Sequence, residues 1–170
     1  MVGLFVAIGI VIVLFGLVAF YGAPYVPSRK YYIDQAFKKL YKPSKKDVLV
    51  DLGSGDGVVL RQAAKNGAKA IGYEVNPFLV ILSRWLSRKD KKVTVYWTDF
   101  WRSQLPKNTT IVYVFSVTRD DKKIVKWLRK EVNRIGRPLR VISYGIKLPG
   151  LTVVSVSGAY YLYEVIPLQS

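Results

Sequence analysis

The chain has 170 residues, 51% of them hydrophobic, which is enough for one domain with a full core and a short appendage. It contains neither Cys nor His, which excludes disulfide frameworks, Cys/His zinc sites, thiolate nucleophiles and a histidine base. Its 27 basic and 11 acidic residues give a net charge of +16, which points to an anionic partner, either nucleic acid or a membrane surface.

Residues 1–28 carry no charged side chain, and 2-VGLFVAIGIVIVLFGLVAF-20 holds 14 Val, Ile, Leu or Phe. A helix of that length crosses roughly 30 Å of hydrocarbon at about 1.5 Å per residue. At about −0.3 to −0.6 kcal/mol each, the large apolar residues favour insertion by roughly 4–8 kcal/mol. A cleaved signal peptide needs a basic start, a shorter apolar run and a small-residue exit, and none of these is present. Residues 1–22 are therefore expected to form a transmembrane anchor, with residues 23–170 as the following domain. Arg29, Lys30, Lys38, Lys39, Lys42, Lys45 and Lys46 come after the anchor, so the positive-inside rule keeps the C-terminal domain on the cytoplasmic side. Tyr21 and Tyr25 fall where interfacial aromatics belong.

Beyond the anchor, strands and helices alternate. The stretch 29–42 suits a helix with Ile33, Ala36, Phe37 and Leu40 on one stripe. The run 47-DVLVDL-52 reads as a buried strand, and 57–65 as a helix closed by Asn66 and Gly67. A strand over 69–74 precedes a helix capped by Asn76, with Pro77 at its first position and Phe78, Leu82, Trp85 and Leu86 expected as its buried face. Strands follow at 93–98 and 110–115, then a helix over 119–135 with Ile124, Leu128, Val132 and Ile135 on one side. A fifth strand spans 139–144, and 151–166 reads as two strands joined near 157-SG-158. Alternating units of this kind imply an α/β, Rossmann-like, mainly parallel sheet with helices on both faces. Such sheets bind ligands at the carboxyl ends of their strands, where the strand order reverses.

The turn 50-VDLGSGDG-57 lies between a strand and a helix, as nucleotide-binding turns do. Its glycines let backbone amides approach a ligand closely. Counting on from Gly53 and Gly55, the third position of a dinucleotide fingerprint is Val58, and no Lys-Ser or Lys-Thr follows, so both nucleotide patterns fail on spacing. Asp51 and Asp56 would repel a pyrophosphate but suit a ligand with a cationic amine and sulfonium. Glu74 follows Asp51 at close to the separation expected of an acid that binds ribose hydroxyls. Asp99, followed by Phe100 and Trp101, could accept a bond from an adenine amino group and sandwich its ring.

The turn with Glu74 and Asp99 resembles a class I S-adenosylmethionine-dependent methyltransferase. That resemblance implies a seven-stranded sheet whose last strand is antiparallel, supplied here by the terminal hairpin. It assigns Gly53, Ser54, Gly55 and Gly57 to the methionine part of the cofactor, Glu74 to the ribose and Asp99 to the adenine. More narrowly, 23-APYVPS-28, Ser143 and 148-LPG-150 resemble the membrane-associated protein-lysine methyltransferases, which include enzymes acting on the ATP synthase c subunit and the adenine nucleotide translocase. The first of these segments places Tyr25 with the cofactor-binding residues. After the fourth strand the family usually has a Leu-(Leu/Thr)-Pro-like stretch, where this chain has 114-VFSVTRD-120.

Methyl transfer from a sulfonium leaves the protein mainly to position and desolvate the acceptor. Ser116, Tyr144 and Trp101, at or after strand ends, are the acceptor-side candidates, with Ser116 and Tyr144 expected as catalytic. No metal is expected. The expected substrate is a lysine of a small membrane protein. A nucleic-acid or lipid-amine methyltransferase and a non-catalytic cofactor-binding module are the alternatives. The usual N/D-P-P-Y/F signature of base methylation is missing after the fourth strand.

Overall fold

A computed structural model describes residues 29–115 and 118–168, together with Gly3, Phe5 and Gly9. The rest of the anchor expected over 1–22, and both Tyr25 and Ser116, lie outside the described residues. Among the described residues, no helix is long and apolar enough to cross a membrane.

Among the described residues from 29 on, four α-helices and seven strands follow in the expected order: α1 (Lys30–Lys39), β1 (Val48–Leu52), α2 (Val58–Lys65), β2 (Lys69–Glu74), α3 (Pro77–Leu86), β3 (Val93–Trp97), β4 (Ile111–Phe115), α4 (Asp121–Ile135), β5 (Leu139–Tyr144), β6 (Val153–Ser157) and β7 (Tyr160–Val165). The strands form one sheet in the order β3-β2-β1-β4-β5-β7-β6. β1 to β5 run parallel, while β7 pairs antiparallel with both β5 and β6. The order reverses between β1 and β4, so the glycine turn leaves the sheet at its switch point.

Both faces of the sheet are covered, which is why β1 is buried at every position rather than at alternate ones. On one face, Ile33 and Phe37 of α1, Leu60 and Ala63 of α2 and Val80 of α3 pack on Leu49, Ile111 and Tyr113. On the other, Ile124, Leu128 and Val132 of α4 pack on Val50, Val112 and Val114. The Asn76 side chain caps α3, accepting from the amides of Phe78 at 3.0 Å and Leu79 at 3.4 Å, with Pro77 at the first position.

One expected face is reversed. Phe78, Leu82, Trp85 and Leu86 are not the buried side of α3; all four are exposed, and Val80 and Ser83 are buried instead. The reason is steric. A Cβ added to Gly57 at the start of α2 would stand 2.1 Å from the Ser83 hydroxyl, so the two helices meet there with no room for a large side chain. The 3.6-residue period identifies a stripe correctly but does not say which way it points.

Asp47 locks the entry to the sheet. Its carboxylate accepts from the Ser44 amide at 2.9 Å, the Ser44 hydroxyl at 2.8 Å, the Thr110 hydroxyl at 2.9 Å and the Tyr41 hydroxyl at 3.1 Å. Burial alone would raise its pKa, but the hydrogen bonds from Ser44, Thr110 and Tyr41 outweigh burial and hold it below the usual carboxylate range. A depressed pKa contributes stability above the unfolded-state value, and that stability is lost as pH falls through the folded one. Asp47→Asn is expected to cost about 1–3 kcal/mol at neutral pH. Urea unfolding of wild type and variant should show the gap closing on acidification.

Candidate cofactor and acceptor site

Three left-handed glycines shape the turn: Gly53 at φ +83°, Gly55 at +54° and Gly57 at +78°. Strain of this kind is cheap only for glycine. The turn is pulled back over β2 by its own amides. Gly53 and Ser54 donate to the Tyr73 carbonyl at 2.9 and 3.0 Å. Gly55 donates to Oε2 of Glu74 at 2.8 Å. The Ser54 side chain is buried against Gly72, where any Cβ would stand 2.4 Å from its hydroxyl. Ser54 thus shapes the turn from beneath.

Glu74 has a second task. Its Oε1 accepts from the Asn76 amide at 2.8 Å, and its backbone carbonyl accepts from Thr98 at 2.9 Å. One buried residue therefore ties together the turn, the start of α3 and the loop carrying Asp99. Each carboxylate oxygen keeps a lone pair for a ligand hydroxyl.

The two acids of the turn differ. Asp56 accepts from the Val58 amide at 3.1 Å and faces Arg61 at 3.5 Å. Its charge is thus largely spent inside the protein. Asp51 is buried, and no hydrogen bond or ion pair to its carboxylate forms among the described residues. Burial first, then the charges of Glu74 and Asp56, push its pKa well above the usual carboxylate range. A buried acid surrounded by acids is the reverse of a phosphate cradle. It fits a cationic group, and so fits the amine or sulfonium of S-adenosylmethionine.

Asp99 opens a short helical turn, Phe100–Arg102, and accepts from the Trp101 amide at 3.0 Å. Its other oxygen lies 3.8 Å from Arg102, which is almost fully exposed. Phe100 and Trp101 stack with centroids 4.4 Å apart, and Lys123 covers the Trp101 ring at 4.0 Å. Phe100 also meets Trp127 of α4 edge-on at 5.8 Å. The aromatic pair is thus braced against α4.

Tyr144, at the carboxyl end of β5, lies in a different place. It lines a cavity of about 430 Å³ together with Tyr31, Tyr32 and Lys39 of α1, Tyr160 of β7 and the hairpin turn. Tyr144 and Tyr160 are register partners with rings 4.6 Å apart, and Phe115 at the end of β4 is 5.7 Å from Tyr144. Sequence reading missed Tyr31, Tyr32 and Tyr160. The alternation of the hairpin strands could have suggested Tyr160, but only the strand register shows that it faces Tyr144. Among the described residues, no three His, Cys, Asp or Glu side chains converge as a metal site would require.

A sheet in this order, with a glycine turn at the switch point and acids closing the next two strands, has the class I methyltransferase fold. A solved RNA methyltransferase from Salinibacter ruber in complex with S-adenosyl-L-homocysteine superposes on 85% of this chain and 96% of its own, with a TM-score of 0.75 and 24% identity. The family described as the ANTKMT methyltransferase domain matches residues 51–155, and the chain belongs to it. Among its relatives, the human lysine N-methyltransferase of the ATP synthase c subunit is 33% identical over 138 residues, 79% of this chain and 57% of that protein. The Xenopus laevis protein of the same name is 33% identical over 67% of this chain and 50% of its own length. The mouse adenine nucleotide translocase lysine N-methyltransferase is 36% identical over 87 residues, 48% of this chain and 37% of its own. The chain spans about half the length of the curated relatives it matches.

The close approach at Gly57 gives a direct test of the turn. Gly57→Ala is expected to destabilise the domain by about 1–3 kcal/mol from its backbone angle alone, with a further steric share from Ser83. Adding Ser83→Gly should recover the steric share and leave the backbone share, as read by thermal unfolding of the two variants.

Proposed function

We propose that the chain is an S-adenosylmethionine-dependent protein-lysine N-methyltransferase held on a membrane by residues 1–22. Its domain, residues 23–170, lies on the cytoplasmic side and acts on a small membrane protein. The observation that carries this reading is the buried Asp51, without a partner among the described residues, beneath a glycine turn fixed by Glu74, in a chain whose relatives are named as lysine methyltransferases of the ATP synthase c subunit and the adenine nucleotide translocase. The uncharged N-terminal run and the basic residues that follow it support the anchor and its orientation.

S-adenosylmethionine, when bound, supplies a methyl group activated by its cationic sulfur. Asp51 would hold its positive end, with Gly53, Ser54, Gly55 and Gly57 shaping the backbone around the methionine part. Glu74 would hold the ribose hydroxyls. Asp99 would take the adenine amino group, with Phe100 beside the ring and Trp101 bracing Phe100; Tyr25 would close the same site. On the acceptor side, Ser116 and Tyr144 would position the lysine. The Tyr144 cavity is lined by four tyrosines and already carries Lys39, whose positive charge would disfavour a second ammonium and lower the acceptor amine from its ordinary pKa of about 10.4. An uncharged amine presents the lone pair that the transfer requires. The net charge of +16 and the fold shared with an RNA methyltransferase support nucleic acid as the second reading.

Calorimetry should show S-adenosylmethionine binding that strengthens as pH rises toward the raised Asp51 pKa and then levels off. The cation prefers the ionised carboxylate, so binding releases a proton. Asp51→Asn should weaken binding by about ten- to a hundredfold and flatten that slope. A variant with wild-type affinity and slope would remove Asp51 from the site. Tyr144→Ala should lower turnover and leave cofactor affinity unchanged. Native membranes incubated with radiolabelled cofactor should carry label on lysine in a small hydrophobic protein; label in RNA or in the lipid extract would replace the lysine reading.

A further inference from the structure

Helix α3 turns outward the residues that would usually be buried. Ile81 is 65% exposed and Trp85 57%, and Leu82 and Leu86 are each more than a third exposed. Ile81, Leu82, Trp85 and Leu86 recur at third- and fourth-residue spacing and form one continuous strip. The helix cannot simply roll to bury them, because the Gly57–Ser83 approach requires a small residue on the inner side. Arg84 is the only charged residue in α3, and its guanidinium donates to the Val95 carbonyl at 2.7 and 3.0 Å, which holds it against β3.

The strip has a basic end. Arg88, Lys89, Lys91 and Lys92 are all exposed, opposed locally only by Asp90. The Arg88 guanidinium lies 4.7 Å from the centre of the Trp85 ring. An apolar strip with a tryptophan at its margin and a cluster of cations beyond it is the pattern of a helix lying in a membrane interface. Such a helix sinks its apolar side to the acyl boundary and leaves its cations among the headgroup phosphates. A second copy of the chain would bring another basic cluster against the first, and the uncharged N-terminal segment would leave the cations unanswered.

The geometry points to the outward face of α3 as a docking surface for an anionic lipid bilayer, a contact additional to residues 1–22 and independent of whether they span. The chain's lack of cysteine makes the test direct. Full-length protein carrying Ile81→Cys is labelled with a polarity-sensitive dye. Lys126→Cys, exposed on α4 across the sheet, provides the reference. Each is mixed with vesicles of phosphatidylcholine alone or with phosphatidylserine, containing nitroxide lipids as quenchers.

The expected result is strong quenching at position 81 and little at 126, greater with phosphatidylserine. Lys89→Gln and Lys91→Gln should each lower the inserted population by about fivefold. Equal quenching at the two positions overturns the inference. So does a position-81 dye shielded from aqueous iodide but untouched by nitroxide lipid, since protein would then cover the strip. Vesicles that carry the protein yet leave position 81 unquenched overturn this contact while leaving the anchor intact. S-adenosylhomocysteine binding, measured on each labelled variant, reads the cofactor site separately.

Discussion

The arrangement of the site depends on the Glu74 carboxylate. It sits at the end of a central parallel strand and receives two backbone amides at 2.8 Å, one from each side. One comes from the glycine turn and the other from Asn76, the residue that caps α3. A charge-assisted bond of this type is worth more than an ordinary amide contact, and within a buried edge it is poorly replaced by water. The left-handed glycines permit the turn, but Glu74 selects the one position in which the turn closes against β2.

Around that residue the acids divide by whether the protein has answered their charge. Glu131 is buried yet complete: it accepts from the Leu105 amide at 2.8 Å and from Arg134 at 2.5 Å, and it pins the loop before β4 to α4. Asp47 is satisfied by hydroxyls and an amide, and Asp56 by Arg61. Asp51 alone among these four is buried without a partner among the described residues, and burial, with the charges of Glu74 and Asp56, raises its pKa. A fold that neutralises three buried or half-buried acids and leaves a fourth uncompensated at its switch point has placed a functional cost where a cation can offset it.

The strands were legible because buried parallel strands are short β-branched runs bounded by turns, and 48-VLVDL-52, 111-IVYVF-115 and 139-LRVISY-144 all have that form. The turn was legible because glycine spacing and acid position survive without coordinates. Contacts between distant segments were not. Nothing local in 130-KEV-132 indicates that Glu131 answers Leu105, and nothing in 31-YY-32 indicates a shared cavity with Tyr144 and Tyr160. The α3 reversal belongs to the same class. Its stripe was found, but its direction is set by Gly57, twenty residues or more upstream of the helix it constrains.

The same residues connect the apolar strip to the site. Asn76 caps α3 with its side chain while its amide rests on Glu74, so the helix cannot tilt without disturbing the carboxylate that orders the turn. Val75 and Trp97, joined by a 3.0 Å bond from the indole nitrogen to the Val75 carbonyl, extend exposed apolar surface from the head of α3 toward that edge. A bilayer bound along α3 would therefore hold the carboxyl edge of the sheet at a fixed attitude to the membrane. An anchor at residues 1–22, as proposed, would supply only proximity, since a single helix would leave the domain free to rotate about it. The proposed transfer to a lysine of a membrane protein would require orientation as well, because such an acceptor could not turn to meet the domain. A second contact rigidly coupled to Glu74 would supply that orientation, using a face the helix could not have buried in any case.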